Sequence, residues 1–141
     1  ETSVKYRAGK LQELLKGYGD VAVTLGDGSE WAAVRDVTDF ADQPGNVWRI
    51  SAKPSDAPEL VRRIEANAVQ YDWGGGLIWA LADEGRDLRA ALGDFDGHAT
   101  LIRGTADVPT FQPEIPALAA ITTGLRAKFD PRGILNSGIM S

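Results

Sequence analysis

Apolar residues recur at helical spacing near both ends of the chain and at strand spacing between them. Val4, Ala8, Leu11, Leu14, Leu15 and Tyr18 mark one face of a first helix, with Ser3 as its N-cap and Gly17 and Gly19 as its stop. Residues 21–25 are short, β-rich and closed by Gly26-Asp27-Gly28, which predicts a strand; Ser29 then caps a short helix carrying Trp31 and Val34. Residues 39–46, with Pro44-Gly45, read as a loop.

The middle of the chain carries the fold. Residues 47–52 alternate as a strand, and Ser55 or Asp56 caps a helix with Leu60, Val61 and Ile64 on one side. Residues 69–73 and 77–81 are two strands joined by Gly74-Gly75-Gly76, a hairpin connection that glycine allows at no steric cost. Residues 86–92 form a short helix and 98–103 a last strand. The order β-α-β-β-α-β predicts an α+β, ferredoxin-like (split βαβ) unit: an antiparallel sheet with two helices on one face. After Pro113, the positions Leu118, Ile121, Thr122, Leu125 and Phe129 define a final helix that ends at Asp130-Pro131. The fold class is therefore ferredoxin-like with N- and C-terminal helical additions, and residues 1–141 read as one domain without an interdomain linker.

Composition narrows the chemistry. A chain of 141 residues with 43% hydrophobic positions suffices for one core. Its net charge of -5 and lack of a Lys/Arg cluster remove the electrostatic footprint of a nucleic-acid binder. No apolar run approaches the roughly 20 residues that span a bilayer. Zero Cys excludes disulfides, thiolate catalysis and Cys-ligated clusters, and a single His excludes a multi-histidine metal site, so no metal site is expected. The glycine triplet opens no helix, neither nucleotide-loop motif is present, and no Ser is framed as a nucleophile elbow. A self-sufficient active site is absent from the pattern. The chain opens Glu1-Thr2-Ser3 without an initiating Met, which leads us to expect a longer parent protein.

Four stretches share a likeness: Trp48-Arg49-Ile50-Ser51; Tyr71-Asp72-Trp73-Gly74-Gly75-Gly76-Leu77; His98-Ala99-Thr100-Leu101-Ile102-Arg103-Gly104; and Phe129-Asp130-Pro131-Arg132-Gly133-Ile134-Leu135-Asn136-Ser137-Gly138. In this order they resemble the C-terminal cap domain of the glycolate oxidase E subunit, an FAD-linked oxidase of the vanillyl-alcohol oxidase and p-cresol methylhydroxylase type. The family's usual Asn-Pro-Gly near the terminus is replaced here by Asn136-Ser137-Gly138. The resemblance implies an oxidoreductase flavoprotein acting on a 2-hydroxy acid such as glycolate. FAD would sit in a preceding Gly-rich domain and none would be bound by this chain alone. It further implies partners, namely that FAD-binding domain and companion flavin and iron–sulfur subunits, with self-association through the exposed docking surface. The location implied is cytoplasmic, peripheral to the inner membrane through partner subunits.

Candidate residues follow from alternation and from the resemblance together. If Trp48, Ile50, Tyr71, Trp73, Leu77, Trp79 and Leu81 point to the helices, then Arg49, Ser51, Gln70 and Asp72 occupy the open face. There Arg49 would clamp a substrate carboxylate with Asp72 as its orienting partner, or the two would form a solvated cross-strand ion pair. Arg103, at the far end of the last strand, is a second clamp candidate, with surface salt bridging as the alternative. His98 would serve as a base toward the substrate hydroxyl, or simply hydrogen-bond backbone at a strand start. Asn136, placed by the family ending, would make a flavin-side hydrogen bond or shape a turn. The rival to a catalytic cap is a non-catalytic interaction or assembly module that docks companion oxidase subunits.

Overall fold

Four strands meet in one antiparallel sheet whose order is β2-β3-β1-β4: β1 Asn46–Ala52, β2 Ala68–Asp72, β3 Leu77–Ala82 and β4 Gly97–Arg103. The computed structural model describes residues 2–24 and 26–136. By its internal contacts the chain divides into two compact units, Glu1–Ala33 and Val34–Ser141. The first unit holds helix α1, Thr2–Leu15, and most of α2, Ser29–Asp36. Residues 21–24 form no strand, contrary to the expectation for 21–25; Leu25 itself lies outside the described residues. Propensity alone does not make a strand without a partner ladder, and the Val21 carbonyl instead accepts a hydrogen bond from the Gln12 side chain.

The second unit has the expected β-α-β-β-α-β order and is α+β, compatible with a ferredoxin-like fold. Helices α3, Ala57–Ile64, and α4, Leu88–Leu92, share one face of the sheet. Asp56 stands at the N-cap of α3, but its carboxylate makes no capping bond and accepts from Ser55 Oγ instead. Asp87 does cap α4, accepting from the Arg89 amide at 2.9 Å. Leu60 and Ile64 of α3 and Leu88 and Leu92 of α4 close over Trp48, Ile50, Ile78, Ala80, Ala99 and Leu101. Each large aliphatic side chain buried there contributes about 1.5–3 kcal/mol. The last helix, α5 Pro116–Phe129, has no buried residue.

Register corrects the expected faces. Asp72 pairs with Leu77 across a four-residue connection, so odd positions of β2 share a face with even positions of β3. Since Trp48 pairs with Ala80 and Ile50 with Ile78, the helix side receives Ile78, Ala80 and Ala82, while Leu77, Trp79 and Leu81 lie on the opposite side with Arg49 and Gln70. That side is not fully open. Val37 and Phe40, around the 3-10 turn Thr38–Phe40 in the expected loop, pack on Val47 and Leu81, with Ala68 and Trp79 against them. Trp73 also departs from the expectation: it leaves β2 into the 3-10 turn Trp73–Gly75 and is 61% exposed rather than buried against the helices.

Asn46, completely buried at the start of β1, ties two loops to the sheet by donating to the Arg86 carbonyl at 3.4 Å and accepting from the Thr105 amide at 3.1 Å. Gly104 passes directly over it with φ of 148°, and a Cβ there would run into the Asn46 side chain. We expect Gly104→Ala to lower unfolding stability by about 2 kcal/mol or more, from backbone strain plus the displaced amide. Gly124→Ala in α5, where a Cβ meets nothing, is expected to leave the denaturant midpoint unchanged or raised. Urea titrations of both variants check the contrast.

Candidate functional site

Antiparallel pairing arranges the side of the sheet opposite α3 and α4 into cross-strand rows. One row joins His98, Ser51, Leu77 and Asp72, and the next joins Thr100, Arg49, Trp79 and Gln70. Arg49 thus stands near the middle of the face, on a central strand, and is half-buried. Its guanidinium lies over the Trp73 ring, 5.1 Å from the centroid. Among the described residues it forms no ion pair and no hydrogen bond. A guanidinium stacked on an indole keeps its N–H edge free for a planar anion while losing part of its hydration.

The other candidates are placed differently. Asp72 does not pair with Arg49; its Oδ1 accepts from the Trp73 amide at 2.7 Å and so shapes the turn that presents the indole. Gln70 donates to the Val34 carbonyl at 2.7 Å, anchoring the end of α2. His98 is exposed opposite Ser51, and its imidazole has no hydrogen bond among the described residues. Arg103 is engaged by the fold: Nη1 and Nη2 donate to the carbonyls of Ala41 at 2.7 Å and Gln43 at 2.6 Å. It therefore clamps the chain segment that leads into β1, which corrects the surface salt-bridge alternative.

Two structural devices escaped the residue pattern. Arg89 of α4 donates from Nε to the Ala99 carbonyl at 2.9 Å, from Nη1 to Pro109 at 2.7 Å and from Nη2 to Thr110 at 2.8 Å, and covers the Trp48 ring at 5.0 Å. Burial pushes its pKa down, yet a guanidinium stays charged at neutral pH. Together with Leu101 N to the Thr110 carbonyl and Ala99 N to Gln112 Oε1, it closes the outer edge of β4. A cleft of about 410 Å³ beside it, lined by Phe95, Val108, Pro109 and Gln112, contains this engaged arginine.

The second device is the ending. The Asp130 carboxylate accepts from the amides of Leu135 at 2.8 Å and Ile134 at 3.1 Å, and these bonds hold its pKa below the usual carboxylate range. Gly133, with φ of 61°, completes the turn by donating to the Asp130 carbonyl. Asn136 follows, exposed and left-handed with φ of 49°; Ser137 and Gly138 of the same stretch lie outside the described residues.

The glycine turn at residues 74–76 does not fit the pyrophosphate of FAD. Gly74 and Gly75 form a 3-10 turn in which the Gly76 amide donates to the Trp73 carbonyl, and Gly75 lies against Pro54. Such a turn opens no helix and leaves no converging amides for phosphate. Among the described residues, no group of three or more His, Cys, Asp and Glu could hold a metal ion, and no helix is long and apolar enough to cross a membrane. No protein-family model, curated protein or solved structure matches the chain.

Two outcomes test these assignments. Arg89→Met should cost about 3 kcal/mol of stability, because three carbonyls lose a charged donor, and Arg103→Met about 1–2 kcal/mol. Amide exchange at Ala99 and Leu101 should rise in the first variant only. Because the folded Asp130 pKa is depressed, its contribution is present above the unfolded value and lost as pH falls through the folded one. Protection of the Ile134 and Leu135 amides should therefore weaken below about pH 4, and Asp130→Asn should reproduce the loss at pH 7.

Proposed function

We propose that this chain is the substrate-side cap of an FAD-dependent 2-hydroxy-acid oxidoreductase of the glycolate oxidase type. On this view the sheet face that carries Arg49 closes over the flavin of a separate FAD-binding domain. The single observation behind it is the state of Arg49: half-buried on a central strand, stacked on Trp73 and without a carboxylate partner among the described residues. A cation held in that way gains most from an incoming anion, and the carboxylate of a 2-hydroxy acid suits its planar fork. His98, exposed two residues along the neighbouring strand from Thr100, is the candidate for the proton of the substrate hydroxyl. Asn136 is the candidate for a flavin-side hydrogen bond. FAD would come with the partner domain.

A second role favoured by a specific observation is assembly. On α5, Leu118, Ile121, Leu125 and Phe129 lie along one stripe, each more than half exposed. Such a stripe suits docking to the flavin domain or to companion flavin and iron–sulfur subunits, which would also bring the protein to the cytoplasmic side of the inner membrane.

Steady-state kinetics of the chain assayed with an FAD-binding domain test the catalytic reading. Arg49→Lys keeps the charge but loses the two-donor fork and should raise KM. Arg49→Met should cost about 2–4 kcal/mol in kcat/KM with thermal stability unchanged. Normal turnover of glycolate and lactate by both variants would remove Arg49 from the site.

A further inference from the structure

Beside Arg49 the same sheet face holds a pocket of about 210 Å³ bounded by Val37, Phe40, Ala41, Val47, Trp79 and Ile102. Arg35, Asp36 and Arg103 also line it, with their charged groups already engaged. Arg35 is paired with Asp36 at 2.7 Å, and both terminal nitrogens of Arg103 are engaged by the carbonyls of Ala41 and Gln43. What remains facing the cavity is apolar. Its volume falls below the roughly 300–1,000 Å³ of pockets that enclose whole drug-sized ligands, so it matches one aliphatic or aromatic group rather than a complete molecule.

The pocket and the anion anchor share a wall. Trp79 lines the pocket and is the direct cross-strand partner of Arg49. Residues so paired hold their Cβ atoms about 4.5–5.5 Å apart. Val47, on the pocket floor, lies two positions before Arg49 on the same face, about 6.6 Å away along the strand. The guanidinium leans over Trp73, which follows β2, while Trp79 is at once the cross-strand neighbour of Arg49 and a wall of the apolar cavity.

We infer that Arg49 and this pocket form a two-part site for an amphipathic carboxylic acid. The carboxylate meets Arg49, the chain crosses the Trp79 indole, and the apolar end enters the cavity between Phe40, Val47 and Ile102. The substrate class is then a carboxylic acid whose hydrocarbon part is long enough to carry its apolar end from the guanidinium past Trp79 into the cavity. This inference rests on the reading of Arg49 as carboxylate anchor and adds the side-chain specificity to it.

The experiment titrates the ¹⁵N-labelled chain with acetate, butanoate, hexanoate and octanoate, following the Arg49 Nε–H and the Trp79 indole N–H. We expect affinity to rise about fourfold per methylene once the chain enters the pocket, so that octanoate binds at least about 30-fold tighter than acetate. The Trp79 signal should move with the longer acids only. Ala41→Leu, which fills the cavity from an exposed position, should flatten the chain-length dependence. Ile102→Gln, at a wall residue 51% exposed, should do the same without disturbing the core. Binding that depends on Arg49→Met but not on chain length overturns this inference and leaves the anchor standing. Carboxylates that shift neither signal, or bind equally well to Arg49→Met, overturn both.

Discussion

The pairing of Asp72 with Leu77 is the constraint on which the rest depends. Because side chains alternate with a period of two, the length of one connection decides for every residue of β3 whether it meets the helices or the opposite side. With four residues in the connection, Ile78, Ala80 and Ala82 go to the helices, and small alanines at two of these three places leave room for Trp48 on the neighbouring strand. The larger Leu77, Trp79 and Leu81 go to the other face, which then needs a cover of its own. Val37 and Phe40 supply it, held in place by Gln70 and Arg103 through backbone carbonyls. The cover stops short of Arg49, and the candidate site is the part of the face left uncovered.

Three arginines on the sheet and its flanking helix illustrate how context decides what the same side chain does. Arg89 makes three hydrogen bonds to carbonyls and stacks on a core tryptophan, so its charge is dissolved in peptide dipoles. Arg103 makes two such bonds across about sixty residues of sequence and closes a loop. Arg49 makes none among the described residues. Its guanidinium lies instead over an indole, whose face attracts a cation without satisfying its N–H groups. Of the three, Arg49 is the one whose guanidinium makes no hydrogen bond among the described residues.

Much of this architecture is legible in the residues. Alternation within 47–52 and the glycine punctuation at 74–76 identify β1 and the hairpin, and the 3.6 period of 116–129 identifies α5 within a few positions. The face assignment of β3 is not legible, because Leu-Ile-Trp-Ala-Leu-Ala is apolar on both sides and alternation then carries no sign. Residues 21–25 look like a strand only until one asks what they pair with. The roles of Arg89 and Arg103 are hidden for a related reason: their partners are backbone carbonyls of distant loops, and a carbonyl has no signature in sequence. Placing Arg49 on the face opposite the helices needs only parity, whereas its stacking on Trp73 instead of pairing with Asp72 depends on a left-handed turn at Trp73, φ 52°, that side-chain type does not announce.

The C-terminal helix bears on what kind of protein this is. A helix of 14 residues is marginal in water even with good propensity, and most helices in proteins owe their stability to a buried apolar stripe. α5 has the stripe without the burial: Leu118, Ile121, Leu125 and Phe129 stay exposed, and it ends in a turn whose bonds to Asp130 hold Ile134 and Leu135 exposed as well. Burying four such side chains would contribute several kcal/mol, more than propensity can supply, so the described fold leaves a large favourable term unrealised. A cap that closes onto a second domain realises that term in the act of docking. If the chain is the cap we propose, closure that also covered the Arg49 face would take it out of bulk water, where a charge-assisted hydrogen bond to a carboxylate becomes strongest. On that proposal, apolar docking and anion recognition would be two consequences of one closure.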